Sequence, residues 1–264
     1  MIRVKKASGR LEPFNREKLI NTLVRVGADE ETANEIVSVI ERRIWDGIPT
    51  SEILDRALTL LHKRYPPASI RYDLKRAVML LGPSGYPFED YFASILRAHG
   101  YIVEGVRMII EGRCVTHEVD VVVRYKSERV FVECKYHNRR GIKTDLKPAL
   151  YTYARLLDLN DQFDNAWLVT NTSLTTEAEK YLNCRNLLYT SWNHPEGLSL
   201  RELIDSCRLY PVTSLNLPHS VIEEMLAEGV VTIKDLINRG SKYLSLLMPN
   251  IDAKSLLNDL KRIS

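Results

Sequence analysis

The chain has 264 residues, of which 45% are hydrophobic and 27% charged, and its formal net charge is +3. This composition is typical of globular domains with buried cores, and the longest apolar runs are too short to cross a membrane. A net charge this small does not indicate nucleic-acid binding by itself, so local clusters of charge carry more weight.

The cysteines and the N-terminus point to a reducing compartment. Cys114, Cys134, Cys184 and Cys207 show no metal-ligand or CxxC spacing, and scattered thiols suit a protein that forms no disulfides. The first residues lack the pattern of a signal peptide. We therefore expect a cytoplasmic protein without membrane contact.

The first segment predicts a small domain over residues 1–81. Residues 2–14 alternate apolar and polar side chains around Gly9, which is typical of a β-hairpin. Asn15 occupies the N-cap position of a helix that continues to about Gly27. Further amphipathic segments lie near 31–45, 50–65 and 69–81. The domain is predicted to be a short hairpin under four helices.

This segment resembles the ATP-cone, the regulatory nucleotide-binding domain at the N-terminus of many ribonucleotide reductases. The resemblance implies an adenine-nucleotide site formed by Lys6, Glu12, Asn15, Lys18 and Thr50. Ala7 stands where the family hairpin commonly has an Arg. ATP or dATP is expected to act as an effector and not to be hydrolysed, because the chain has no P-loop motif.

Residues 82–87 are predicted to be a linker, because two prolines and two glycines fall within six residues. Residues 88–207 then follow the order α-β-β-β-α-β-α-β, which predicts a mixed sheet flanked by helices. The predicted elements are a helix over 88–99, strands near 101–110, 119–123 and 130–132, a helix over 146–159, a strand over 166–170, a helix over 175–184 and a strand over 187–192.

The hairpin within residues 115–136 carries the candidate chemistry. If it turns about Lys126 and Ser127, paired residue numbers sum to 253 and Asp120 faces Glu133. Directly opposed carboxylates destabilise a sheet, but they can share a divalent cation such as Mg²⁺. Lys135 lies on the same face, where its ammonium can stabilise a developing negative charge. The alternative interpretation is an exposed sheet face on which Lys135 simply neutralises two solvated carboxylates.

The central segment resembles the PD-(D/E)-x-K nuclease superfamily, in particular the Mrr-type restriction endonucleases and the archaeal Holliday junction resolvases. The matching stretches are FEDYFASILRAHGY, HEVDVVV and VFVECKYH. The resemblance implies that Asp120 and Glu133 bind Mg²⁺ or Mn²⁺, that Lys135 is catalytic and that Glu89 joins them from the first helix. Val119 replaces the proline for which the superfamily is named.

The stretch HNRRGIK after the second strand of the hairpin is basic and lies next to the candidate site. Arg139, Arg140 and Lys143 are therefore predicted to contact the DNA backbone, although a solvated loop has the same composition.

Residues 208–264 predict a small all-helical domain, with short helices broken at Gly229 and Gly240. The segment resembles tandem helix-hairpin-helix modules, which hold phosphates at helix N-termini. Lys234, Arg239, Lys242, Lys254 and Lys261 are available for such contacts. A protein-interaction role is the alternative.

Together these segments predict a mixed α/β chain in which an ATP-cone controls a metal-dependent DNA endonuclease. Cleavage of both strands of a duplex requires two sites, so a homodimer is expected. The competing hypothesis is a nucleotide-responsive regulator that binds nucleic acid without cutting it.

Overall fold

A computed structural model describes residues 2–6, 9–25, 28–64, 74–139, 141–215 and 217–261. It has the predicted mixed α/β architecture and divides into two compact units, the first ending at Leu74 and the second beginning at Lys75. The division precedes the predicted linker because residues just ahead of that linker pack within the second unit. Thr213 donates a hydrogen bond to the carbonyl of Ala77 at 2.6 Å, and the Tyr136 hydroxyl donates to that of Met79 at 2.6 Å.

The first unit contains the predicted hairpin and three helices in the part that the structure describes. Its elements are β1 (Arg3–Lys5), β2 (Leu11–Pro13), α1 (Arg16–Arg25), α2 (Glu30–Glu41), β3 (Ile48–Pro49) and α3 (Thr50–Arg64). β1 pairs antiparallel with β2 and parallel with β3, a strand that the sequence did not predict. Of the fourth predicted helix, over 69–81, residues 69–73 lie outside the described part of the chain, and the rest contains the helix Leu74–Met79.

Local capping and burial explain the helices of this unit. The Asn15 side chain accepts a hydrogen bond from the Lys18 amide at 2.8 Å, which confirms its N-cap role at α1. Leu23, Val37 and Leu61, from the three helices, are fully buried in one core.

The second unit contains a five-stranded sheet in the order β10-β8-β6-β5-β4. The unit begins at the second residue of α4 (Leu74–Met79). Its further elements up to the last strand are α5 (Tyr86–Ala98), β4 (Ile102–Glu111), β5 (Thr116–Tyr125), β6 (Glu128–Lys135), β7 (Lys143–Thr144), α6 (Leu146–Leu159), β8 (Asn165–Thr170), β9 (Ser173–Leu174), α7 (Thr176–Cys184) and β10 (Leu188–Thr190). β4, β5 and β6 are antiparallel, whereas β6, β8 and β10 are parallel. β7 and β9 form a separate two-stranded sheet.

Helices cover both faces of the central sheet, which explains the nearly continuous apolar runs in β5 and β8. On one face Val122 and Phe131 are fully buried in a core with Ala149 and Leu159 of α6. On the other face the Phe92 ring of α5 lies edge-on to Trp167 at 5.8 Å.

The C-terminal segment packs as part of the second unit. It contains α8 (Leu200–Cys207), a short 3₁₀ helix (Val212–Ser214), α9 (His219–Ala227), α10 (Ile233–Leu247) and α11 (Ala253–Lys261). Buried Tyr91 of α5 donates a hydrogen bond to the Leu209 carbonyl at 2.8 Å. The predicted break at Gly240 is present, with a φ of 81° inside α10. No helix in the described ranges is long and apolar enough to cross a membrane.

Candidate active site

The observed register of the β5–β6 hairpin is the predicted one. Val121 pairs with Val132 and Tyr125 with Glu128, so each pair sums to 253. Asp120 and Glu133 are the next residues beyond the last pair. There the Asp120 carboxylate accepts a hydrogen bond from the Cys134 amide at 2.6 Å, through its Oδ2 atom. The side chain of Asp120 therefore takes the place of a backbone acceptor at the end of the hairpin.

The hairpin brings together two acidic side chains that are largely removed from solvent. Burial raises the pKa of Glu133 to about 7, with a further increase from the charge of Asp120. Burial also raises the pKa of Asp120 itself. Burial and mutual repulsion both disfavour the ionised form of these two carboxylates. A cation bound to the pair offsets both effects, so the site attracts positive charge.

Glu89 joins the pair from α5, the helix that packs on the face of the sheet opposite to α6. Its side chain is buried, and its pKa is raised to about 7 by burial and then by the charge of Asp120. The structure thus places Asp120 close enough to both Glu89 and Glu133 for its charge to raise the pKa of each. Each comes from a different element, which sequence spacing alone could not arrange.

Two arginines that were not predicted from the sequence partly neutralise these acids. Arg155 of α6 has a side chain only 4% exposed, and its guanidinium forms an ion pair with Glu133 and a hydrogen bond with the Glu118 carbonyl. Its position could have indicated this role, because it lies one helical turn from buried Thr152 and from buried Leu159. A charged residue within the buried stripe of a helix requires a partner.

Arg107 of β4 is the second arginine. Its guanidinium contacts Glu89 at 3.1 Å and Asp90 at 2.8 Å. Its backbone is left-handed, with a φ of 54°, which is an uncommon and strained conformation for a residue with a side chain. No pattern in the sequence of β4 marks this position.

Lys135 ends β6 beside the acids. It pairs with Thr170 of β8 and is exposed. Its positive charge lowers the pKa of Glu133, but burial and the charge of Asp120 raise that pKa by more. Its ammonium is therefore available to a ligand at the edge of the sheet.

The chain after Lys135 is anchored at both ends. The His137 amide donates to the Asn171 side chain at 2.9 Å, and the Asn171 amide group donates back to the His137 carbonyl at 2.8 Å. Lys143 begins β7, and both it and Arg139 are exposed. Arg140, also predicted to contact DNA, lies outside the described residues.

The donor set suits an oxygen-binding cation such as Mg²⁺. Hydrogen bonds occupy Asp120 Oδ2 and Glu133 Oε2, and no donor in the described segments takes the second oxygen of either carboxylate. No group of three His, Cys, Asp or Glu side chains among those residues is arranged to enclose a metal ion. Two protein carboxylates with water completing the shell are the usual manner of Mg²⁺ binding.

A second candidate site lies in the first unit. All five residues predicted to bind the nucleotide line one cavity of about 700 Å³. They are Lys6, Glu12, Asn15, Lys18 and Thr50. Lys6 contacts Glu12 at 3.3 Å, and both side chains are substantially exposed. The volume falls in the range of small-molecule sites.

Comparison with known families agrees with the two units. Residues 2–76 match the ATP-cone family, described as ATP cone domain, and residues 81–189 match the Mrr_cat family, described as restriction endonuclease.

Two uncharacterised proteins of Archaeoglobus fulgidus are similar to this chain. One is 38% identical over 153 residues, which covers 58% of this chain and 87% of the relative. The other is 40% identical over 42 residues, covering 16% of this chain and 89% of the relative. The crystal structure of AF1548, a protein of unknown function, is 34% identical with a TM-score of 0.57, covering 68% of this chain and 96% of that chain.

Proposed function

We infer that this chain, which belongs to the family joining an ATP cone domain to an Mrr-type restriction endonuclease domain, is a metal-dependent DNA endonuclease regulated by adenine nucleotide. The observation that carries the proposal is the burial of Asp120 and Glu133 side by side, with Glu89 near them and Lys135 exposed at their edge. Such a concentration of acidic groups opposes folding and has a clear use in binding a cation.

The proposed roles follow from the positions of the side chains. Asp120 and Glu133 hold Mg²⁺ or Mn²⁺, which when bound polarises a phosphodiester and makes water a better nucleophile. Lys135, at the open edge, neutralises the charge that develops on the phosphate. Glu89, whose pKa of about 7 lies near neutral pH, accepts a proton as a general base.

DNA contacts are proposed along the segment after β6. Arg139 and Lys143 are exposed and follow Lys135 by four and eight residues along the chain, and the backbone between them is held at His137 by Asn171. Together with Arg140 they neutralise backbone phosphates, which gives affinity without sequence preference.

The ATP cone domain is proposed to bind ATP or dATP as an effector in its 700 Å³ cavity. Lys6 and Lys18 contact phosphates, while Glu12, Asn15 and Thr50 offer polar contacts to the remaining groups. An effector changes activity only if two states of the protein bind it differently, so the nucleotide is expected to change the cleavage rate or the association of a homodimer.

A regulator that binds nucleic acid without cutting it is the second candidate. The ion pairs of Arg155 with Glu133 and of Arg107 with Glu89 favour it, because they neutralise two acids without a metal. In that case the buried acids have only a structural role.

A panel of DNA substrates separates the two candidates. Plasmid, linear duplex, forked and junction DNA are incubated with Mg²⁺ or Mn²⁺, with and without ATP, using wild type and Lys135→Ala. If the chain is a nuclease, wild type should cleave DNA when the metal is present, and Lys135→Ala should not. Absence of cleavage of every substrate, with DNA binding retained, supports the regulator instead.

A further inference from the structure

A cleft of about 900 Å³ lies in the second unit beside the candidate active site. One wall is the chain from Met79 to Asp90, and the opposite wall is α9 with the residues that follow it. Arg107 and Asn138 complete the lining. The C-terminal segment and the nuclease domain therefore build this cleft together.

Two of the lining residues connect the cleft to the proposed chemistry. Arg107 binds Glu89 at 3.1 Å, and Asn138 follows Lys135 by three residues along the chain. The cleft thus shares Arg107 with the acid cluster, and the chain that leaves Lys135 reaches its lining at Asn138.

The lining suits a flat, partly polar group and not a phosphate. Its two basic side chains already contact acids, Arg107 at 2.8 Å from Asp90 and His219 at 3.3 Å from Glu223. Much of the remaining lining is apolar, including Ile222. No strong unpaired charge therefore remains among these groups to select an anion.

An aromatic platform is present at the cleft. Tyr86 is 55% exposed as a residue, and the Arg107 guanidinium lies over its ring at 5.3 Å from the ring centre. Leu80, also in the lining, is 48% exposed. The left-handed backbone of Arg107 and its two ion pairs fix the guanidinium against the ring. Exposed aromatic rings next to Arg are the groups on which unpaired bases stack.

We propose that this cleft binds one unpaired nucleobase of the strand to be cut, stacked on Tyr86. A paired base has its faces covered by its neighbours in the duplex, whereas a base in a single-stranded extension or fork can enter. The inference rests on the proposed nuclease function and names its substrate class: DNA with unpaired nucleotides next to the cleavage site.

The test compares affinities for a blunt duplex and for a fork of the same sequence. Binding is measured by fluorescence anisotropy in the Glu133→Gln background, so that the DNA stays intact, with Tyr86 either retained or changed to Ala or Phe. Tyr125→Ala is the matched control, because Tyr125 is also an exposed tyrosine, at 43%, but it ends β5 and does not line the cleft. A fork carrying 2-aminopurine in its unpaired arm reports stacking directly.

We expect the fork to bind more tightly than the duplex, and Tyr86→Ala to weaken fork binding by about 5-fold or more, the effect of losing one stacked base. Tyr86→Phe and Tyr125→Ala should keep the tighter binding of the fork relative to the blunt duplex. In the protein that retains Tyr86, 2-aminopurine at one arm position should change its fluorescence on binding, and Tyr86→Ala should remove that change.

Equal fork affinity of the Tyr86→Ala protein and its parent would overturn the base-binding proposal, even if the wild type cuts DNA. Conversely, a Tyr86-dependent preference for the fork without cleavage of any DNA would support the base site and refute the nuclease function. The two failures are therefore distinguishable.

Discussion

The two candidate sites each contain a glutamate paired with a cation, but the two pairs differ in burial. In the nucleotide cavity Lys6 contacts Glu12 with side chains 28% and 41% exposed. In the nuclease domain Arg155 contacts Glu133 with side chains 4% and 18% exposed. Water screens the first pair, whereas the second must satisfy its charges within the protein.

This difference shows where the chain accepts a cost to stability. An exposed pair can separate to admit a nucleotide at little expense, because water solvates both partners. The buried pair lies next to Asp120, so three charged groups are removed from solvent together. A cluster that opposes folding in this way is a stronger indication of function than an exposed pair is.

The largest effect is expected on cleavage when the acid cluster is changed. Asp120→Asn should lower metal-dependent cleavage by about 10²-fold or more, since it removes a proposed ligand of the metal. Its unfolding free energy should equal or exceed that of wild type, because the amide oxygen of the new side chain can still accept from Cys134 while the repulsion with Glu133 disappears. Cleavage assays and urea denaturation measure the two quantities. Full cleavage by this variant would contradict the site.

Removing the buried cation should have the next largest effect. Arg155→Met leaves Glu133 buried without its partner, which should lower the unfolding free energy at pH 8 by about 3 kcal/mol. The loss should be smaller at pH 5, because a protonated Glu133 needs no counter-ion. Urea denaturation at the two pH values measures both losses.

The exposed pair supplies the matched control for that measurement. Lys6→Met removes the cation from Glu12 in the same way, but it should change the unfolding free energy by less than about 1 kcal/mol. Equal losses in the two variants would show that burial does not distinguish the pairs.

Burial also predicts how stability depends on pH. Because the pKa of Glu89 rises from 4.5 to about 7 on folding, the folded state binds more protons between these values. Its contribution to stability is present below pH 4.5 and is lost as the pH rises through 7. Urea denaturation of the metal-free proteins measures the effect. Between pH 5 and pH 8 the unfolding free energy of wild type should fall by on the order of 2 kcal/mol more than that of Glu89→Gln. An identical loss in both proteins would refute the shift.

The smallest effect is expected at the nucleotide cavity. Lys18→Ala should weaken ATP binding by about 3-fold to 10-fold, since an exposed lysine contributes a screened contact to phosphate. Calorimetric titration of wild type and variant measures the change, and Lys5→Ala is a control because Lys5 is exposed and does not line the cavity. If wild type binds neither ATP nor dATP, the cavity has lost its nucleotide function.

Much of the nuclease domain could be predicted from the sequence because the relevant signals are local. The α6 helix has the predicted bounds, Leu146–Leu159, and the hairpin has the predicted register. Strand β3 was missed because it has only two residues and depends on pairing with β1. The separate C-terminal domain stays a prediction, and the structure counts this segment within the second compact unit, where Tyr91 donates a hydrogen bond to the Leu209 carbonyl.

The sequence by itself determined the hairpin and the positions of Asp120, Glu133 and Lys135 along it. Alternation of side chains with a period of two and one tight turn specify those positions from neighbouring residues. Only the tertiary structure decided which cations meet the acids. Arg107 and Arg155 reach Glu89 and Glu133 from other elements, 18 and 22 residues away in the chain, because packing of helices on both faces of the sheet brings them together.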